Sequence, residues 1–289
     1  MEIPGKKIAR MLEIIEKKAV RELKKRRLKP KLVVFLVGDS PDQISFVKIK
    51  RKIANKLGIV FELIHLKKTP SFESFIHILK EKASDIKTSG LIIQHPLPTQ
   101  LTTNCIFDFI PLEKEIEGHR RKTTFIPPIG QAVLTILKFI YSGNKIKSSL
   151  LLNPKPDRSF LKRTLRAKKV VLIGRGQTGG QPIGKTLTDF GINYISINSE
   201  TPEPAEYLRQ ADIIISAVGK KVLQPDMVKP GAVLINVGLR KENGHLKGDY
   251  DEKEIKNLAG FYTPTPGGIG PIDVLYLYHN LIQAAKLQR

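Results

Sequence analysis

The stretch KVVLIGRGQTGGQPIG, residues 169–184, decides the fold. Val170, Val171, Leu172 and Ile173 make a short apolar run with charge before it and glycine after it. Such a run reads as a strand buried on both faces. Gly174, Gly176 and Gly179 then give G-x-G-x-x-G, and Pro182 stands near the start of a helical pattern through Ile183, Leu187 and Phe190. Strand, glycine turn and helix start, in that order, form the context a dinucleotide fingerprint requires. Glycine permits the tight turn and lets the backbone approach a pyrophosphate. The helix N-terminus offers that anion unpaired N–H groups and a partial positive charge.

Downstream, residues 193–198 (NYISIN), 211–218 (ADIIISAV) and 232–237 (AVLINV) read as further short strands. Ser199 and Glu200 follow the first of them, about twenty residues past the glycines, where the ribose is read. Strands alternating with helical linkers argue a doubly wound parallel sheet. The first half repeats the plan. Residues 1–29 read as an amphipathic helix with an apolar stripe at Ile8, Met11, Leu12, Ile15, Val20 and Leu23. Strands are expected at 32–37, 59–65 and 90–94, and helices at 42–57 and 71–83, the first ended by Gly58. Phe46 and Lys50, four apart, share one helix face. The lysine-rich segment 141–165, with Pro154 and Pro156, reads as a surface loop extension, and 274–286 as a last helix. The fold class is α/β, with two α/β domains and a cleft between them. The second is the Rossmann-like doubly wound sheet.

A chain of 289 residues fits about two domains. No apolar run reaches the ~18 residues of a membrane span. One cysteine, Cys105, excludes an intrachain disulfide and a cysteine metal site, and no metal is expected. A cytoplasmic setting is the default. The net charge of +22 is spread over many short basic runs rather than one tail. It reads as a lysine-rich solvated surface, with neither zinc-finger nor RNA-binding spacing beside it, so a nucleic-acid partner is not expected.

Five ordered segments carry a family resemblance. They are LVVFLVGDSPDQISFVKIKRKIANKLGI, LIIQHPLP, PLEKEIEG, VVLIGRGQTGGQP and YTPTPGGIGPIDV. Nearly end to end, the chain resembles the bifunctional methylenetetrahydrofolate dehydrogenase/cyclohydrolase family. The resemblance implies oxidation of 5,10-methylenetetrahydrofolate to the methenyl form with NADP, then hydrolysis to 10-formyltetrahydrofolate. It implies a homodimer and a folate substrate that can be polyglutamylated. It divides the chain at 1–121 (folate domain), 122–264 (dinucleotide domain) and 265–289 (turn and returning helix).

The same resemblance assigns residues. Lys50 matches the catalytic lysine, Gln94 the site glutamine, and Glu117 the carboxylate that pairs with the pterin N–H edge. Phe46, Pro266, Gly267 and Gly268 would contact substrate. Gly174, Arg175, Gly176, Ser199 and Leu239 would contact the cofactor. Phe46 stands for a tyrosine, Gln43 for a serine, Glu117 for an aspartate and Asp273 for a threonine. His95 stands for a leucine and reads as an exposed residue. Arg175 and Ser199 match 2′-phosphate positions and favour NADP, while the acidic Glu200 keeps NAD open. Two rivals stay open: a glutamate- or shikimate-type dehydrogenase of the same plan, and a non-catalytic homologue that binds nucleic acid through its charge.

Overall fold

Apolar runs and helical stripes alternate along the chain, and the secondary structure follows them. The computed structural model describes residues 1–103, 105–120 and 122–288. The first elements are α1 (Gly5–Lys25), β1 (Lys31–Val37), α2 (Pro41–Leu57), β2 (Val60–Leu66), α3 (Phe72–Ser84) and β3 (Gly90–Ile93). Then come α4 (Pro128–Tyr141), α5 (Pro154–Leu165), β4 (Val170–Ile173), α6 (Gly180–Asp189), β5 (Ile195–Ile197), α7 (Pro204–Gln210) and β6 (Ile213–Ser216). The chain ends with β7 (Val233–Asn236), β8 (Arg240–Glu242), β9 (His245–Lys247), α8 (Glu252–Ile255), β10 (Phe261–Tyr262) and α9 (Gly270–Leu287).

Two compact units result. One comprises Met1–Leu12 and Ile129–Asp273, the other Glu13–Pro128 and Val274–Arg289. These limits differ from the divisions at 121/122 and 264/265, because the chain passes between units inside α1, near the start of α4 and inside α9. Residue 121 itself lies outside the described residues.

In the second of these units, three parallel strands run in the order β2-β1-β3. The central strand β1 pairs along its full length with β2, from Lys31 opposite Val60 to Val37 opposite Leu66. Being central, it is buried on both faces, which is why its sequence is a nearly unbroken apolar run. Phe35 packs edge-on against Phe75 of α3, ring centres 5.7 Å apart, inside a core that also takes Leu79, Leu91, Ile93 and Phe107. Gly58 adopts φ 74° and closes α2 with a left-handed cap. Beyond β3, Glu115 forms a bridge beside Leu91, so the segment PLEKEIEG runs along the sheet toward its carboxyl edge.

The other unit holds five parallel strands in the order β10-β7-β6-β4-β5. Numbered within the unit, that order is 2-1-3-4-5, with its topological switch point between β4 and β6. The doubly wound expectation is met. Met1 to Pro4 are not helical, as the stripe over 1–29 had suggested. Ile3 donates to the Tyr262 carbonyl at 2.8 Å and the Tyr262 amide donates to Met1 at 3.1 Å, so the N-terminus lies along β10.

Segment 141–165 corrects a second expectation: its latter half is helix α5, preceded by a 3-10 turn at Ser148–Leu150. The prolines that read as loop occupy the first turn of α5, where a missing N–H has no intrahelical partner to lose. The Asp157 carboxylate accepts from the Asn153 amide and pairs with Lys138, each at 2.7 Å, while Leu161 and Leu165 face the core. The last helix also begins four residues earlier than expected, at Gly270.

Candidate functional site

Strand β3 ends at Ile93, and Gln94 follows at the carboxyl edge of the sheet, its amide donating to the Phe35 carbonyl at 2.9 Å. Helix α2, which starts just after β1, brings Lys50 to the same edge. The Lys50 ammonium donates to Gln94 Oε1 at 2.8 Å. Gln94 Nε2 in turn donates to the His95 carbonyl at 3.0 Å, which fixes the amide's orientation. The bridge at Glu115 delivers Glu117, whose Oε1 lies 4.0 Å from Lys50 Nζ. The structure therefore gathers Lys50, Gln94 and Glu117, which are far apart in sequence. The backbone under Lys50 is pinned by Tyr278 of α9, whose hydroxyl donates to the Lys50 carbonyl at 2.6 Å. Asn280, two residues along the same helix, donates to the carbonyls of Ile116 and Ile126 at 2.8 and 2.9 Å. Phe46, one turn before Lys50, leaves 43% of its surface exposed beside the equally open Ile49. Gln43 donates to the Pro96 carbonyl and is a structural brace of the turn after β3.

Two histidines complete the cluster. His119 Nε2 lies 3.7 Å from Glu117 Oε2, and its ring stacks on Phe107 with centres 4.4 Å apart. His95 is not exposed, as expected of it, but half-buried against the same two rings, 5.4 Å from Phe107 and 5.8 Å from His119. Burial pushes its pKa below the ordinary histidine value, which leaves it neutral near pH 7. Burial acts to raise Glu117, but Lys50 and His119 outweigh it and hold the carboxyl below the usual range. Burial acts to lower His119, but Glu117 beside it holds the imidazole above its ordinary value. Glu115 is raised by burial, although its Oε1 accepts the amides of Glu117 and Gly118 at 2.9 and 3.0 Å. His119 went unnoticed in the sequence because it opens the run HRRK. No periodic signal marks it, because Gly118 between Glu117 and His119 takes φ +76° and breaks any extended alternation.

In the other unit, the loop after β4 lies at the switch point. Gly174 takes φ +99°, and a Cβ there would sit 2.7 Å from the Ala217 carbonyl at the end of β6. Only glycine lets β4 and β6 turn apart so closely. Around Gly176 the space is open, and the N-terminus of α6 carries no side-chain cap. This is a cradle with room for a pyrophosphate at a helix start, although the Gly179 and Gln181 amides already donate to the Gly176 carbonyl at 3.3 and 3.0 Å. Arg175 is exposed, its Nε 3.5 Å from Ser196 Oγ on β5, and Ser199 and Glu200 form the exposed turn after that strand. Leu239 follows β7 with 44% exposure.

Pro266, Gly267 and Gly268 lie in the turn before α9, where Gly267 adopts φ +106° and the Thr265 amide donates to Glu252 at 2.5 Å. A Cβ on Gly5 would collide with the Gly268 carbonyl, so α1 begins in contact with this turn. Below it lies a network absent from the expectations. The buried Asp249 carboxylate accepts from Ser216 Oγ at 2.5 Å, the Val218 amide at 2.9 Å and the Gly219 amide at 2.8 Å. Asn236 accepts from the Asp249 amide at 2.8 Å and donates to the Gly238 carbonyl and to Thr265 Oγ1 at 2.8 and 2.9 Å. The Asp249 carboxylate thus anchors the end of β6 and the loop after it, while its backbone amide joins that anchor to Asn236 at the end of β7.

A glycine cradle at a switch point in one unit and an ionisable cluster at a sheet edge in the other define a two-unit α/β dinucleotide-dependent enzyme. Family models for the tetrahydrofolate dehydrogenase/cyclohydrolase catalytic domain and NAD(P)-binding domain match residues 3–117 and 159–289. A curated relative, the bifunctional protein FolD of Staphylococcus aureus, is 34% identical over 298 aligned residues, covering 99% of this chain and 97% of its own. Among solved structures, the bifunctional FolD enzyme from Campylobacter jejuni is similar with TM-score 0.87 at 27% identity, covering 100% and 99% of the two chains. The 5,10-methylenetetrahydrofolate dehydrogenase of the silkworm Bombyx mori follows with TM-score 0.83 at 26% identity, covering 100% and 98%. The chain belongs to the tetrahydrofolate dehydrogenase/cyclohydrolase family, as the sequence motifs implied.

Proposed function

We propose that this enzyme oxidises 5,10-methylenetetrahydrofolate to 5,10-methenyltetrahydrofolate with NADP and then hydrolyses the product to 10-formyltetrahydrofolate. The observation that carries the reading is the Lys50–Gln94–Glu117 cluster, assembled within the residues that match the family's catalytic domain. When bound, NADP would supply the hydride acceptor for the methylene carbon. The cradle of Gly174 and Gly176 and the uncapped start of α6 fit its pyrophosphate. Arg175 and Ser199 are the groups for its 2′-phosphate, and Leu239 offers an apolar surface.

Phe46 supplies an exposed ring on which the flat part of folate stacks. The Glu117 carboxylate accepts from the N–H edge of the pterin. Lys50, aimed by Gln94, moves protons to and from the folate nitrogen and the water that attacks the methenyl carbon. Pro266, Gly267 and Gly268 give a rigid backbone edge for substrate. The protein acts as a homodimer in the cytoplasm; no helix among the described residues is long and apolar enough to cross a membrane. A polyglutamylated folate is a substrate of the same site.

A spectrophotometric assay with methylenetetrahydrofolate and each nicotinamide tests the reading. Reduction of NADP followed by loss of the methenyl chromophore is expected. A folded protein that turns over neither cofactor would overturn it.

A further inference from the structure

His119 is held by packing that no assigned role requires. Its ring lies on Phe107 at 21°, and Phe107 belongs to the apolar core, so the imidazole is fixed where Nε2 meets Glu117 Oε2. Lys50 approaches the other oxygen of the same carboxylate. At 3.7 and 4.0 Å both groups are beyond hydrogen-bond length, so they attract the carboxylate without filling its lone pairs. Those lone pairs stay open to donors on a ligand.

We infer, resting on the folate reading above, that His119 is a positioning residue: as a cation it holds the Glu117 carboxylate ionised and aimed while Lys50 exchanges protons. With Lys50 alone, the counter-charge on Glu117 would vanish whenever the lysine became neutral. A second cation on the opposite oxygen keeps the carboxylate's charge constant through the cycle. The groups facing His119 are Glu117 and Glu115 on its own segment, Lys50 on α2 and His95 after β3. Both carboxylates favour the imidazolium. Lys50 opposes it, and the neutral His95 adds no charge. Because Glu117 holds the imidazole above its ordinary value, the protonated form is complete at low pH and is lost as pH rises through the raised value.

Two measurements test this. The first follows the His119 ring by NMR across pH without folate, in the wild type and in Glu117→Gln, with the signal assigned by His119→Phe. The midpoint should fall by about one pH unit in Glu117→Gln; an unmoved midpoint overturns the pair itself. The second follows kcat and KM for methylenetetrahydrofolate across pH. Wild-type kcat/KM should decline as the imidazole deprotonates. His119→Phe keeps the stacked ring, so it should lose about tenfold at neutral pH, mainly in KM, and should lack that decline. His119→Lys should restore the neutral-pH value and carry the decline to higher pH. A His119→Phe enzyme that retains the wild-type decline overturns the role and leaves only packing. No folate turnover by wild type at any pH overturns the folate reading and the role with it, whereas the NMR midpoint fails or holds by itself.

Discussion

The loop after β4 and the cluster after β3 each lie at the carboxyl edge of a parallel sheet, yet they are made of different material. The dinucleotide loop is backbone: Gly174 at φ +99°, open space at Gly176 and an uncapped helix start. The ionisable cluster is side chains from α2, the turn after β3 and the segment around Glu117, joined by one hydrogen bond and two ion pairs. A backbone site tolerates change at most side chains and fails when a Cβ or a tie is altered. A side-chain site fails at single charges. The ionisable cluster should therefore show the largest single-residue effect. Lys50→Met is expected to lower ring opening by about 10²–10⁴-fold with the fold intact. A circular dichroism spectrum and a hydrolysis rate on one preparation decide it, and an unchanged rate would remove Lys50 from the mechanism.

The backbone site has its own weak point in Asp249, which would break the comparison if it proved inert. Asp249→Ala leaves the Ser216 hydroxyl and the amides of Val218 and Gly219 without their shared acceptor. Buried donors left unpaired should cost about 3 kcal/mol in all. Thermal melting should then fall by roughly 6–12 °C, and the dinucleotide should bind more weakly because the loop after β6 loses its anchor. Asp249→Asn keeps one acceptor and should fall between. A melting temperature equal to wild type would show that this loop needs no carboxylate.

These two kinds of site also differ in how far the sequence disclosed them. G-x-G-x-x-G is local, and its context of strand and helix start lies within sixteen residues (169–184), so the cradle could be derived from periodicity and turn chemistry. The ionisable cluster spans Lys50 to His119, and nothing local joins those residues; only the family motifs pointed to Lys50, Gln94 and Glu117. His119 and His95 escaped because a histidine beside arginines, or between glutamine and proline, has no periodic partner to place it. Asp249 escaped because a buried carboxylate takes its meaning from donors on distant loops. Helix α5 was missed for a local reason: two prolines look like loop until the helix is seen to begin at the first of them.

Phe46 sharpens the comparison from within the side-chain site. If the exposed ring serves as a stacking surface alone, Phe46→Tyr adds a hydroxyl at an open position and changes turnover little, or raises it where the hydroxyl orients water near Lys50. Steady-state rates of both reactions settle this. A fall beyond about tenfold, roughly 1.4 kcal/mol, would show that the surroundings of this ring are shaped to exclude an oxygen.

The smallest expected effect lies where the backbone site ends in exposed side chains. Arg175 can form a charge-assisted pair with a 2′-phosphate, about twice the strength of a neutral hydrogen bond, and Ser199 can donate to the same group. Both are exposed, as is Glu200, whose amide donates to Asn198 Oδ1 at 3.2 Å while its side chain stands in solvent. Ion pairs at open positions are worth about 0.2–1 kcal/mol, and the repulsion from Glu200 is screened over about 8–10 Å. NADP should therefore bind more tightly than NAD, by less than about tenfold. Arg175→Ala should erase the margin, and Glu200→Lys should widen it by turning the one repulsive charge into an attractive one. Calorimetric titration of both cofactors into wild type and the two variants measures all three. Tighter binding of NAD to wild type would mean that Glu200 turns inward to a ribose hydroxyl, which would make cofactor choice depend on a single side chain even though the cradle itself is backbone.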